Sequence, residues 1–111
     1  MSDNTLSEVT ATRVRIVNQA GVQLFDIGSC DHGFPRFEMF NPNDECARVV
    51  IEADDNGTRI SILSENGVSL LGLGASEKNG GGINLMLKDG SKAVTINADC
   101  GEASPVQVIE I

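Results

Sequence analysis

Val14-Arg15-Ile16-Val17, Phe37-Glu38-Met39-Phe40, Ile60-Ser61-Ile62-Leu63, Ile83-Asn84-Leu85-Met86 and Val106-Gln107-Val108-Ile109 write one pattern, apolar–polar–apolar–apolar, five times at a spacing of 23 residues. All fifteen apolar positions are filled. With about half of residues apolar, chance would do this about once in 30,000, so the repeat is real. It divides the chain into a polar leader, 1–13, expected to be flexible, and a repeat domain, 14–111. The units are 14–36, 37–59, 60–82, 83–105 and a half-unit, 106–111, with no insertion between them.

Each unit opens on the period-2 alternation of a strand. A second apolar run lies about ten residues on, at Leu24–Ile27, Ala47–Ile51, Leu70–Leu73 and Ala93–Ile96. Turn dipeptides separate the runs: Ala20-Gly21, Asn43-Asp44, Asn66-Gly67 and Asp89-Gly90. A second set closes the units: Asp31-His32-Gly33, Asn56-Gly57, Asn79-Gly80 and Cys100-Gly101. Such dipeptides favour primed turns, in which both central residues take positive φ and the flanking strands run antiparallel. The fold class is therefore all-β: four and a half tandem 23-residue hairpin repeats, nine short strands, forming a meander or β-prism-like sheet. A single-chain β-solenoid, one rung per 23 residues, is the alternative; leucine-rich repeats are excluded by the absence of helical period.

Strand alternation points residues 14 and 16 to one side and 17 to the other, which predicts apolar side chains on both faces of the sheet. The chain also ends on a strand, Val106–Ile111, with an unsatisfied edge. Both features call for a second layer, supplied by a homo-oligomer, with a trimer of meanders favoured, or by the sheet curling on itself.

Composition narrows the partners. The 111 residues carry 16 acidic and 8 basic side chains, a formal charge of −8. Such a chain does not neutralise a run of phosphates, so nucleic acid is not an expected partner. No Trp or Tyr is present, and the four Phe fall between residues 25 and 40. The opening MSDNTLSEVT lacks the basic and apolar regions of a signal peptide, and no run approaches about 18 apolar residues. The expectation is a cytoplasmic protein with no membrane partner. Cys30, Cys46 and Cys100 form no C-x-x-C pair, giving neither a disulfide framework nor a zinc site.

The sole histidine lies in Ser29-Cys30-Asp31-His32-Gly33. A neighbouring imidazole lowers a thiol's pKa, so Cys30 and His32 admit a nucleophile-and-base or metal reading; ordinary turn chemistry explains the same residues. Glu52-Ala53-Asp54-Asp55-Asn56-Gly57 brushes against a calcium loop, yet Leu63 occupies the position of the bidentate glutamate. Gly72, Gly74 and Gly80–Gly82 lack the Gly-Lys-Ser/Thr of a phosphate cradle and read as room for another backbone or layer. Arg13, Arg36 and Arg59 recur at 23 residues, predicting an exposed ladder stitched to acidic loops or to carboxylates of a neighbouring subunit, with an anion site as the alternative. No cofactor and no metal is expected, and nothing assembles a conventional catalytic set.

With its apolar strand, turn, second strand and glycine-rich closure, the region 13–111 resembles bacterial tandem β-hairpin repeat proteins of uncharacterised function, including small mobile gene-cassette (integron cassette) proteins. Asp89-Gly90 is the closest match to the aspartate turn of such repeats. The resemblance implies a fold and carries over no catalytic residue. Two functions follow as expectations. One is an oligomeric scaffold or protein-interaction module presenting the loops 28–35, 52–58, 74–82 and 98–105 to a protein partner. The other is a small-molecule binder or enzyme with a site between subunits at Cys30, Asp31, His32 and Arg36, where the closure of unit one departs most from the repeat.

Overall fold

The computed structural model describes residues 7–78, 80–98 and 106–110, of which 92, 93 and 106–110 are described as backbone only. Residues 7–13 are exposed and without regular structure. Nine strands follow: β1 (Val14–Val17), β2 (Gln23–Ser29), β3 (Pro35–Phe40), β4 (Ala47–Asp54), β5 (Gly57–Leu63), β6 (Ser69–Ser76), β7 (Gly80–Met86), β8 (Lys92–Ala98) and β9 (Val106–Glu110). They form one sheet in sequence order, every neighbouring pair antiparallel. This is a hairpin meander. The solenoid alternative is corrected, since its rungs would stack sequence-distant strands in parallel.

The turns within units differ from the primed geometry expected. Positive φ is confined to a single residue per turn, Gly21 (82°), Gly67 (81°) and Gly90 (90°). The Asn18 amide donates to the Val22 carbonyl (2.9 Å) and the Gly21 amide to the Asn18 carbonyl (3.0 Å). Ser64–Val68 and Leu87–Ser91 repeat both bonds. This is a type I turn completed by a left-handed glycine, the other common way to join strands with a right-handed twist. It leaves a register shift in each hairpin, at Ile16/Val17, Met39/Phe40, Ile62/Leu63 and Leu85/Met86. The third apolar position of the first four patterns falls at this irregularity.

The period is kept but apportioned unevenly, which corrects the expectation of a repeat without insertions. Val14, Ile60 and Ile83 face Ile27, Leu73 and Ile96, thirteen residues on, whereas Phe37 faces Ile51, fourteen on. Unit two has a turn one residue longer, in which the Asn41 amide donates to Cys46 and Glu45 takes φ 58° where the sister turns have glycine. The extra residue is absorbed by the next hairpin, where Asp54 pairs directly with Gly57. Gly57 (φ 132°) and Gly80 (φ 72°) admit no side chain: a Cβ would lie 2.3 Å from the Ala75 carbonyl oxygen and 2.1 Å from that of Ala98. At the far end Ile96 faces Val108, two residues beyond the partner the repeat prescribes, after the connection 99–105.

Register decides the faces, because directly paired residues project to the same side. Val14, Ile27, Phe37, Ile51, Ile60, Leu73, Ile83 and Ile96 make one row across eight strands. Ile16, Phe25, Met39, Val49, Ile62, Leu71, Leu85 and Val94 make a second row beside it. Both are wholly apolar and share one face, and Phe25 and Phe37, diagonal across it, bring their rings to 5.7 Å between centroids. The central row of the other face is Arg15, Asp26, Glu38, Val50, Ser61, Gly72, Asn84 and Thr95. The central rows are thus unequal: those of one face are apolar throughout, and that of the other is polar with Val50 as its one large apolar member. Alternation puts Leu24 and Leu70 on that second side as well, and Met86 lines a cavity there with Ser61, Gly72 and Asn84.

Burial is inverted relative to chemistry. Among the described residues only Val50 and Thr95 are buried, each 7% exposed, and both lie on the polar face. Ile16 and Ile62 of the apolar face are 45% and 41% exposed. A single layer also explains the radius of gyration of 18.0 Å, against about 13 Å for a compact chain of this length.

Candidate functional site

Cys30 follows the end of β2 and opens the first inter-unit turn. Its amide donates to the Phe34 carbonyl (2.9 Å), and the Gly33 amide donates to its own carbonyl (2.9 Å). Gly33, at φ 85°, ends the turn as its sisters do. Asp31 and His32 are exposed at its tip, while Cys30 is half-buried. Arg36 lies in β3, paired with Gly28 and Glu52, and its guanidinium reaches Glu52 (2.9 Å) and Glu38 (3.2 Å) on the polar face. The Glu38 hydrogen bond leads the effects that hold Arg36 more firmly charged; Glu52 and, last, Cys30 add to it electrostatically. The four residues therefore divide between a turn tip and an ion-paired strand. Among the described residues no group of three or more His, Cys, Asp or Glu is placed to hold a metal ion. Cys100 lies outside the described residues.

The arginine ladder is stitched within the chain. Arg13 forms a two-pronged pair with Asp26, its Nε donating to Oδ1 at 2.8 Å. Arg59 pairs with Asp54 (2.7 Å), and Arg48 pairs with Asp44. Because Gly28 carries no side chain, the Arg13 stem lies over it, 3.4 Å from where a Cβ would stand. The Arg13 guanidinium holds the Asp26 carboxyl below the ordinary carboxylate range, and the Arg59 guanidinium, then the Asn56 amide, does so for Asp54. With their carboxylates in place, none of the three recurring arginines offers an open anion site. The calcium-like loop is likewise explained, since Asp54 holds Arg59 and the Asn56 amide (2.8 Å).

Gly72, Gly74 and Gly82 floor a trough on the polar face between Arg59 and Ser61 on one side and Asn84 and Asn97 on the other. A Cβ at Gly82 would meet Asn97 Oδ1 at 2.8 Å and so displace the Asn97 amide; Gly72 and Gly74 have nothing nearer than 3.8 Å. Asn84 is engaged with Thr95, whose hydroxyl donates to its Oδ1 at 2.9 Å.

The largest feature with chemical consequence is the apolar face itself. The sequence pattern already held positions 14 and 16 on one side. It missed that the second strand of each hairpin adds its apolar residues to the same two rows. The polar residue at position 15 and its repeats, Glu38, Ser61 and Asn84, was the available signal that the opposite face is wet. Compared with known families and curated proteins, the chain matches no family model and has no curated match. Among the described residues, no helix is long and apolar enough to cross a membrane.

Proposed function

We propose that the protein is an oligomeric β-repeat scaffold, a structural or protein-interaction module, and that its assembly is a homotrimer. What supports this reading is a sheet with sixteen apolar side chains on one face and no second layer over them among the described residues. Water-exposed rows of Ile, Leu, Val and Phe are unfavourable by about 25 cal/mol per Å², so covering them drives association. The polar face, whose arginines are already paired, is then the outer surface. The exposed turn tips at Asp31 and His32, and at Asp55 and Asn56, are what such a particle presents to a protein partner. The alternative, a small-molecule or catalytic site between subunits at Cys30, Asp31, His32 and Arg36, has no convergent geometry in its favour. Light scattering on the native particle tests the proposal: a mass of three times 11.7 kDa is the expected outcome, and a monodisperse single-chain mass at micromolar concentration overturns it.

A further inference from the structure

Resting on that oligomeric reading, we infer that the apolar face is the shared interior of the particle. Three copies close around a threefold axis with this face inward and their strands lying across the axis.

The occupant of the face is a copy of the same chain. At a strand spacing of about 4.8 Å and a rise of about 3.3 Å per residue, the seven gaps between the eight strands that carry the rows and six-residue strands give a face of roughly 34 by 20 Å, about 700 Å². A standard protein interface buries about 600–1,000 Å² per partner, so the face alone falls within the range of a stable contact. Among the described residues no segment outside the sheet covers it: of residues 7–13 only Val9 is a large apolar residue, and it is 72% exposed. A lipid occupant does not fit strands of four to eight residues, where a transmembrane strand needs about 9–11. A second copy does fit, because the same pair of apolar rows recurs on strand after strand.

The width of the strip selects three copies. It is two side chains across in every strand, one from each row. Packed as a two-layer sandwich, so narrow a strip would leave both long margins of its core open to water. Three strands of about 20 Å closing a triangle place each sheet about 6 Å from the axis, close to half the roughly 10 Å separation of packed sheets. Each layer then holds six apolar side chains and no open margin. A square of four would set each sheet about 10 Å from the axis, leaving a central void that aliphatic side chains of this size do not fill.

Charge and burial agree with this orientation. Arg13, Arg36 and Arg59 sit on the opposite face with carboxylates of their own chain, so they can face water without a partner. The apolar face carries no charged side chain in either row.

Thiol labelling of the native particle with a maleimide, read peptide by peptide by mass, tests the inference. Ile62→Cys and Ser61→Cys are neighbours in β5 that face opposite ways. In a particle of three-chain mass, Ser61→Cys is expected to react freely and Ile62→Cys at least about tenfold more slowly, through transient opening alone. Leu73→Cys in β6 repeats the apolar-face measurement, so the loss of one variant to misfolding does not remove the test. Equal labelling within a three-chain particle overturns the inference and leaves the oligomeric reading standing. Protection within a two-chain particle overturns the threefold closure. A single-chain mass overturns both readings.

Discussion

Glu45 stands where three sister turns place a glycine, and it holds φ 58° there. A left-handed conformation costs an L-residue about 1–2 kcal/mol relative to glycine, partly offset by the greater freedom glycine brings to the unfolded chain. Glu45→Gly is therefore expected to stabilise the protein by about 0.5–1 kcal/mol, read as a raised midpoint in urea. At the same scale, Asp26, Asp44, Asp54 and Asp89 all titrate below the ordinary aspartate range. The causes differ: the Arg13 pair for Asp26, the Cys46 amide ahead of Arg48 for Asp44, the Arg59 pair for Asp54 and the Ser91 hydroxyl for Asp89. A carboxyl that is harder to protonate when folded adds stability that is complete above its unfolded pKa, about 3.9, and lost as pH falls through the lower folded value. Stability should accordingly rise as pH is raised through the acid range toward about 5 and be independent of these groups above it. Urea midpoints across that range check this, and Asp54→Asn should flatten the dependence.

Elements here are interchangeable in a way those of a compact domain are not. Among the described residues each strand touches its sequence neighbours alone, so stability is close to a sum over hairpins and their interfaces. Removing residues 60–82 joins Arg59 to Ile83, keeps both apolar rows in phase and leaves every turn intact. The shortened chain is expected to fold with the same β circular dichroism per residue and a lower melting temperature. Removing 11 residues instead would leave an even number of strands and misalign the turns, and should give an unfolded or aggregated chain. The hairpins were legible because Ala20-Gly21 or Asn66-Gly67 between alternating runs is a local signal. Their turn type was not, because Asn66 and Asp89 are compatible with either geometry, and what selects one is the twist and pairing of the flanking strands. For the same reason Cys30, Asp31 and His32 could be read as a turn, whereas the carboxylates that hold Arg36 and Arg59 could not be named before the register was known.

On the scale of the whole molecule the defining property is a sheet whose chemistry and burial point opposite ways. Among the described residues Val50 and Thr95 are the best covered and sit on the polar face, while Ile16 and Ile62 are 45% and 41% exposed. A chain stabilised mainly by contacts with other copies unfolds with a midpoint that depends on concentration, since dissociation favours the unfolded state by mass action. Calorimetry between about 5 and 500 μM is expected to show a steadily rising midpoint, and an unchanged midpoint would count against association through this face. The formal net charge of −8 belongs to this scale too, since a net charge far from zero favours solubility.

By itself the sequence determined the all-β class, the succession of strands and turns and the 23-residue period. These follow from alternation and turn residues, which act over a few positions. Only the tertiary structure decided the order of the strands in the sheet and their register, and with the register the longer turn of unit two, the arginine partners and the inequality of the two faces. Register is set by cross-strand pairing between residues three to sixteen positions apart in the chain. A shift of one residue there would turn every side chain of a strand to the other face while leaving the local pattern unchanged.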